Sequence, residues 1–358
     1  MKAAVCYEFN KPLVVEEIDI EPPREGEVKV RMAATAICHS DIHVIKGELG
    51  GRLPVVAGHE SAGYIEELGE GVTSVKPGDP VVVSLLASCG RCTQCVRGLT
   101  WMCENRWPLE RESRLRNRHG EPLFHMSRVS SFAEYVIVDQ SQVVPIPEDM
   151  PVDSAALLAC GVITGFGAVV HRAQVEPMSS VVVIGTGGVG LNSVQAAALS
   201  GAYPIIAVDI LDSKLEAARS FGATHTVKAS DEDAVKTVRG LTSRRGADYV
   251  FVTVGSNAAI QQGFAMSAPR AMIVLVGLPP VTEPVTLPPV LVWNERMVTM
   301  SRTGTARLQL EIPKLVALYQ VGRLKLDELI SNRYPLEQIN EAIEDVEKGE
   351  ALRNVIMF

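Results

Sequence analysis

Hydrophobic positions follow one pattern up to about residue 160 and another beyond it. In the first stretch, short β-rich runs at 3–6, 28–32, 62–68 and 80–83 alternate with turn residues such as Lys76-Pro77-Gly78-Asp79. That spacing predicts a β-rich, barrel-like domain. Beyond Cys160 the apolar runs become continuous. Residues 181–184 are all Val or Ile, as a strand buried on both faces requires, and a glycine turn and a helical run at 191–198 follow. Further strands at 205–208, 249–252 and 272–276 alternate with helical segments such as 214–220, which predicts a doubly wound parallel sheet. Amphipathic helical runs at 312–320 and 336–348 precede a last strand at 354–358, and a return of this tail to the first domain is expected.

Length and charge narrow the class. A chain of 358 residues is long for one core and fits about two domains. Its formal charge of −8 disfavours nucleic acid or an anionic membrane surface as the main partner. No apolar run approaches the ~20 residues that span a bilayer, and no charged leader with an apolar core opens the chain, so a soluble, cytoplasmic protein is expected.

The cysteines bring in chemistry. Four of the seven, Cys89, Cys92, Cys95 and Cys103, form a C-x2-C-x2-C-x7-C cluster. Short spacings let consecutive thiolates point at one tetrahedral centre, and four thiolates leave no open position, so the cluster reads as a structural zinc site. Disulfides are the alternative, and a reducing compartment disfavours them. A second group, Cys38, His59 beside Glu60, and Cys160, is scattered over the chain. Two Cys and one His leave a position for a catalytic water or an alcohol oxygen. The remaining Cys6 reads as a small core residue.

The run Gly185-Thr186-Gly187-Gly188-Val189-Gly190 matches G-x-G-x-x-G, follows a predicted strand and opens a predicted helix. Such a turn seats a pyrophosphate on the N–H groups at a helix start. Asp209 closes the next strand, where its carboxylate accepts ribose hydroxyls and repels a 2′-phosphate, so NAD is expected rather than NADP. An open metal position and a nicotinamide together imply hydride transfer at a carbon bearing oxygen. Ser40 and His43, two and five residues beyond Cys38, offer a hydroxyl-to-imidazole route for the proton.

These features resemble the zinc-dependent medium-chain alcohol dehydrogenases of the medium-chain dehydrogenase/reductase superfamily. The resemblance rests on Cys-His-Ser-Asp at 38–41, Gly-His-Glu at 58–60, the four-cysteine lobe, Ala-Cys-Gly at 159–161, the glycine turn and Leu-Arg-Asn at 352–354. It implies an α/β chain: a GroES-like β-rich catalytic domain with both zinc sites at 1–161 and 303–358, and a Rossmann NAD-binding domain at 162–302. It further implies Cys38, His59 and Cys160 as ligands of a catalytic zinc with Glu60 as an occasional one. Ser40, Asp41 and His43 become catalytic candidates, Asp41 lying behind His59. His39, Thr164, Gly188, Val189, Lys214, Val276, Leu278 and Arg353 join the cofactor-binding set. His39 stands where several relatives carry Arg against the pyrophosphate.

The same resemblance implies an alcohol or aldehyde substrate, with Leu49 and Leu85 in an apolar pocket. The long loop between Cys103 and Ser131 favours a homodimer, with a homotetramer as the alternative. Arg106, Arg111, Arg114, Arg116, Arg118, His119 and Arg128 in that loop interleave with Glu104, Glu110, Glu112 and Glu121, which reads as a solvated charged loop rather than an anion site. The expected function is an NAD-dependent zinc alcohol dehydrogenase for primary or simple secondary alcohols. Alternatives are a polyol or other specialised dehydrogenase of the superfamily, or a non-catalytic NAD-sensing protein. The retained ligands with Ser40 and His43 argue against the last.

Overall fold

The computed structural model describes residues 1–358 except 232, 278 and 280–282. Two compact units emerge, Met1–Cys160 with Arg307–Phe358, and Gly161–Ala306. In the first, strands Lys2–Cys6, Val14–Ile20, Leu115–Asn117, Pro122–His125 and Val55–Val56 close a small barrel. A second sheet runs in the order Val143–Pro145, Pro80–Ser84, Glu60–Leu68, Glu27–Ala36, Arg353–Met357, Ile330–Pro335, and Tyr135–Asp139 also pairs with Glu27–Ala36.

The tail therefore does return. Arg353–Met357 lies antiparallel to Glu27–Ala36 with Val355 opposite Ala36, and Ile37 N–H donates to Asn354 at 2.9 Å. That register sets Arg353 beside the segment leading into Cys38. Inward-facing Val28, Val30, Met32, Ile65, Val81 and Val83 form one core of this unit.

The second unit is a six-stranded parallel sheet in the order His225–Lys228, Ile205–Asp209, Val181–Ile184, Ala247–Val252, Ser267–Leu275, Met297–Met300. Strand Val181–Ile184 is buried along its whole length, as its uninterrupted apolar run requires. Helix Gly188–Leu199 follows it directly. The chain order of the strands reverses between Val181–Ile184 and Ala247–Val252, the kind of switch point at which open α/β sheets bind ligands.

Two expectations change. The helical stretch Val152–Ala173, with mean hydropathy 1.7, is long and apolar enough by composition to cross a membrane, although 78% of its apolar window is buried inside the protein. Apolar residues all round a helix serve a protein interior as well as a bilayer, so the segment reads as a core helix. The loop after Cys103 is also not simply solvated. It supplies two barrel strands, Leu115–Asn117 and Pro122–His125, and Arg114 is buried against Glu27. Arg114 Nη2 meets Glu27 Oε1 at 2.9 Å with only 1% and 8% of the two side chains exposed, and Nε–H donates to Oε2 at 3.3 Å. A guanidinium that deep needs a carboxylate, and the barrel strand holds it there.

Removing one partner of such a pair strands the other charge. Arg114→Ala should destabilise its unit by about 3–5 kcal/mol in urea denaturation. Glu66→Gln, at the half-exposed pair with Arg31, should change stability by less than about 0.5 kcal/mol.

Candidate metal centres and dinucleotide turn

Asp41 organises the first centre. It is fully buried in the first turn of helix His39–Ile45 and accepts from Cys38 N–H at 2.9 Å, from Gly58 N–H at 3.0 Å and from His59 Nδ1 at 2.8 Å. A carboxylate can only accept, so His59 carries its proton on Nδ1 and turns Nε2 to the metal side. Gly58 has φ +92°, and a Cβ there would lie 2.6 Å from Phe132 N, so only glycine brings His59 to this position. Cys160 arrives in a widened helical turn, Leu158–Val162.

Donor atoms of Cys38, His59 and Cys160 all lie within 4.8 Å of one another. Cys38 is held well below an ordinary thiol, first by Cys160 donating to it and then by His59, while Cys160 is pushed well above, first by that same pairing. Burial alone would lower His59, and Asp41 and Cys38 raise it well above an ordinary imidazole. One thiol thus ionises at the other's expense. Two buried thiolates require a compensating cation, which a divalent ion accepting N and S donors supplies.

Around these ligands sits a second set of buried groups. Arg353 Nη2 lies 3.4 Å from Glu60 Oε2, and Nη1 donates to the Ile37 carbonyl at 3.2 Å. Burial works against the Arg353 charge, but Glu60 and Cys38 hold its pKa above the ordinary guanidinium value. Thr35 Oγ1 donates to the Glu60 carbonyl at 3.2 Å and pairs with Ser131 Oγ at 2.7 Å, and Ser131 N–H donates to the Gly58 carbonyl at 3.0 Å. Ser84 Oγ donates to the Ala159 carbonyl at 2.6 Å, and Gln142 Nε2 donates to the Ser84 carbonyl at 2.9 Å. Ser40 Oγ is 3.8 Å from Cys38 Sγ. His43 Nδ1 bonds Glu48. His39 is exposed.

In the four-cysteine lobe, the sulfurs of Cys89, Cys92, Cys95 and Cys103 lie within 4.8 Å of one another. Backbone N–H groups already point at them. Cys92 accepts from Cys95 N–H and Glu104 N–H, each at 3.5 Å, and its pKa falls to about 6, first through Glu104. Cys95 is pushed up to about 12, first by burial and then by Cys92. Crowded thiols oppose one another's ionisation until a cation joins them, and four thiolates match tetrahedral zinc.

The glycine turn lies in the other unit. Gly187 caps helix Gly188–Leu199 with no side-chain cap bond, and a Cβ on Gly187 would meet nothing within 4 Å. Uncapped N–H groups beside open space fit a pyrophosphate. A Cβ on Gly190 would come within 1.9 Å of the Gly185 carbonyl, so that glycine is required for helix and strand to touch. Asp209 Oδ2 accepts from Thr186 N–H at 2.7 Å and Thr186 Oγ1 at 3.1 Å, and Oδ1 accepts from Ile210 and Leu211 N–H at 2.7 and 3.1 Å. Asp209 therefore also ties the turn to its own strand end. Thr164, Val189 and Val276 are half-buried in this unit, and Lys214 is buried on helix Asp212–Ser220. Leu278 lies outside the described residues.

Glu48, Thr35, Ser131, Ser84 and Gln142 were not among the expected site residues. Only Glu48 lay close enough in sequence to its partner to be considered, and no periodicity marks the hydroxyls.

Comparison with known proteins adds a family. Residues 24–148 match the model of the alcohol dehydrogenase GroES-like domain and residues 188–320 that of the zinc-binding dehydrogenase. The chain is 38% identical over 366 residues, covering 99% of itself and 98% of its relative, to an NDMA-dependent alcohol dehydrogenase of Amycolatopsis methanolica. A solved alcohol dehydrogenase zinc-binding domain protein from Burkholderia ambifaria superposes with TM-score 0.95 at 34% identity, over 100% of this chain and 98% of that one. Benzyl alcohol dehydrogenase from Acinetobacter calcoaceticus superposes with TM-score 0.93 at 32% identity, over 100% and 99%.

Asp41→Asn keeps the shape but replaces one acceptor oxygen with a donor. It should weaken zinc retention at Cys38, His59 and Cys160 by about 10–100-fold, leaving the four-cysteine zinc in place. Chelator-driven zinc release, resolved into two phases, reads this. Cys103→Ala should abolish the other phase and lower the unfolding midpoint.

Proposed function

The chain belongs to the zinc-dependent medium-chain alcohol dehydrogenase family, and on that premise we propose that it oxidises primary or simple secondary alcohols with NAD as the hydride acceptor. The observation that carries this reading is the Asp41-clamped trio of Cys38, His59 and Cys160, which offers three donors and so leaves a position for a substrate oxygen. Zinc held by that trio would polarise the substrate oxygen and ease loss of its proton, and NAD would take the hydride.

The remaining work falls to side chains. Asp41 keeps the His59 tautomer and ring fixed. Ser40 accepts the hydroxyl proton, and His43, anchored through Nδ1 by Glu48, carries it outward from Nε2. The carbinol C–H leaves as hydride with its electron pair, the O–H leaves as a proton, and the C=O bond forms. Arg353 keeps Glu60 in a paired, fixed state beside the ligands. The open space at Gly187 and the N–H groups of helix Gly188–Leu199 take the pyrophosphate. The Asp209 carboxylate disfavours a 2′-phosphate, which supports NAD over NADP.

The NDMA dependence in the name of the Amycolatopsis relative favours a second reading for the electron acceptor. On that reading, NDMA or a compound of its kind, rather than freely exchanging NAD, removes the electrons. A panel of alcohols run with NAD, with NADP and with NDMA alone separates the two. Turnover with added NAD supports the first, and turnover with NDMA alone supports the second. Oxidation of none by any acceptor refutes both.

Two variants test the assigned roles. His43→Ala should slow alcohol oxidation by about 10²-fold, and raising the concentration of a small buffer should restore part of the rate, because the lost function is proton carriage. Asp209→Gly should shift kcat/KM away from NAD and towards NADP, read in steady-state kinetics with each cofactor.

A further inference from the structure

Four hydrogen bonds meet at the Asp209 side chain, and all four come from the protein itself. Oδ1 accepts from Ile210 N–H at 2.7 Å and Leu211 N–H at 3.1 Å, and Oδ2 accepts from Thr186 N–H at 2.7 Å and Thr186 Oγ1 at 3.1 Å. A carboxylate has about four lone-pair places, two on each oxygen. Those of Asp209 are therefore spent before any ribose arrives. Yet a ribose hydroxyl that donates to this carboxylate needs one of them.

The four donors are not equally replaceable. Three are backbone N–H groups. Thr186 stands in the glycine turn, where Gly185 N–H donates to the Val208 carbonyl at 2.8 Å and Thr253 Oγ1 donates to the Gly185 carbonyl at 2.6 Å. Ile210 and Leu211 follow directly on strand Ile205–Asp209, and Leu211 caps helix Asp212–Ser220. These N–H groups cannot turn away unless the main chain moves. The fourth donor, the Thr186 hydroxyl, turns by rotation about its Cβ–Oγ bond. The tight backbone of the turn depends on its glycines and does not ask for a hydroxyl at this place. Thr186 is fully buried, so a hydroxyl displaced from Asp209 has no solvent to turn to and its lost bond counts against whatever displaces it.

We propose, resting on the NAD reading above, that the Thr186 hydroxyl competes with the adenosine ribose of NAD for Asp209. Binding exchanges one O–H donor for another: the ribose 2′-hydroxyl takes the place that Thr186 Oγ1 gives up, and Asp209 keeps its three backbone bonds. The carboxylate stays in position, but its bond to the ribose adds little net affinity. Thr186 thereby sets how loosely NAD is held and makes it a cofactor that exchanges between turnovers.

The test is calorimetric titration of the full-length protein, freed of nucleotide by dialysis, with NAD and with 2′-deoxy-NAD, which lacks the 2′-hydroxyl of the adenosine ribose. The wild type should bind the two within about threefold of each other, because one bond replaces another. Thr186→Val removes the hydroxyl and keeps the side-chain shape. It should bind NAD about three- to tenfold more tightly than the wild type and gain nothing for 2′-deoxy-NAD. Thr186→Ser keeps the hydroxyl and should match the wild type. A wild-type preference for NAD over the deoxy analogue of about tenfold or more overturns the inference, since the ribose would then gain a bond at no cost; this comparison stands even if Thr186→Val fails to fold. Unchanged NAD affinity in Thr186→Val, or a gain shared by both nucleotides, overturns it as well. So does NAD that stays on the wild-type protein through dialysis. In each of these cases the NAD reading survives. If the wild type binds neither nucleotide, the NAD reading falls and this inference falls with it.

Discussion

A single buried carboxylate holds the candidate metal centre together. Asp41 joins Cys38 to the Gly58-His59 segment, two pieces of chain with no covalent reason to meet, through three bonds of 2.8 to 3.0 Å. Burying a carboxylate is costly unless its oxygens are satisfied, and two backbone N–H groups with an imidazole satisfy these. The arrangement works in both directions. Asp41 fixes the backbone on either side of the ligands and sets which His59 nitrogen is free, and the same N–H groups satisfy its buried oxygens. Its position in the first turn of helix His39–Ile45 also places negative charge at the positive end of that helix.

Support spreads outward from this point through backbone carbonyls. Thr35 with Ser131 holds the peptides on either side of His59, and Ser84 with Gln142 holds the peptide before Cys160. All four side chains are buried, so each bond forms in a low-dielectric interior where an unmade partner is expensive. The ligands are thereby placed by the sheet itself, since Thr35, Glu60 and Ser84 belong to three adjacent strands of it. A metal site braced by neighbouring strands is held more precisely than one supported by loops alone.

How much of this was legible depended on range. The strands that were read overlap observed ones because their apolar runs are local, while others such as Val14–Ile20 and Tyr135–Asp139 went unread, and the lobe cysteines stood out because closely spaced Cys has few other uses in a reducing setting. The lobe cysteines and the glycine turn are contiguous patterns of this kind. Thr35 and Ser131 were invisible, since an isolated hydroxyl in a strand has no signature and its partner lies 96 residues away. Arg114 was misjudged for the same reason: it stands among exchangeable-looking charges, and its carboxylate, Glu27, is 87 residues upstream. Composition counts charges, but only the fold says which are spent inside.

That distinction also separates chemistry from specificity. The metal ligands and their supports are locked by strands, a required glycine and buried hydrogen bonds, so substitutions there disturb the centre as a whole. The residues that line a cavity of about 310 Å³ in the first unit come largely from connecting segments, 49–52, 109–112 and 126–127, and the charge they present depends on pairings made outside it. Arg24, Arg114 and Arg128 occupy the acids Glu110 and Glu112, and among the described residues Arg52 and Arg111 form no ion pair. Changing one pairing residue would alter the charge balance around the cavity without touching a ligand of the metal. A scaffold with rigid chemistry and loop-borne selectivity can therefore change its alcohol while keeping its reaction.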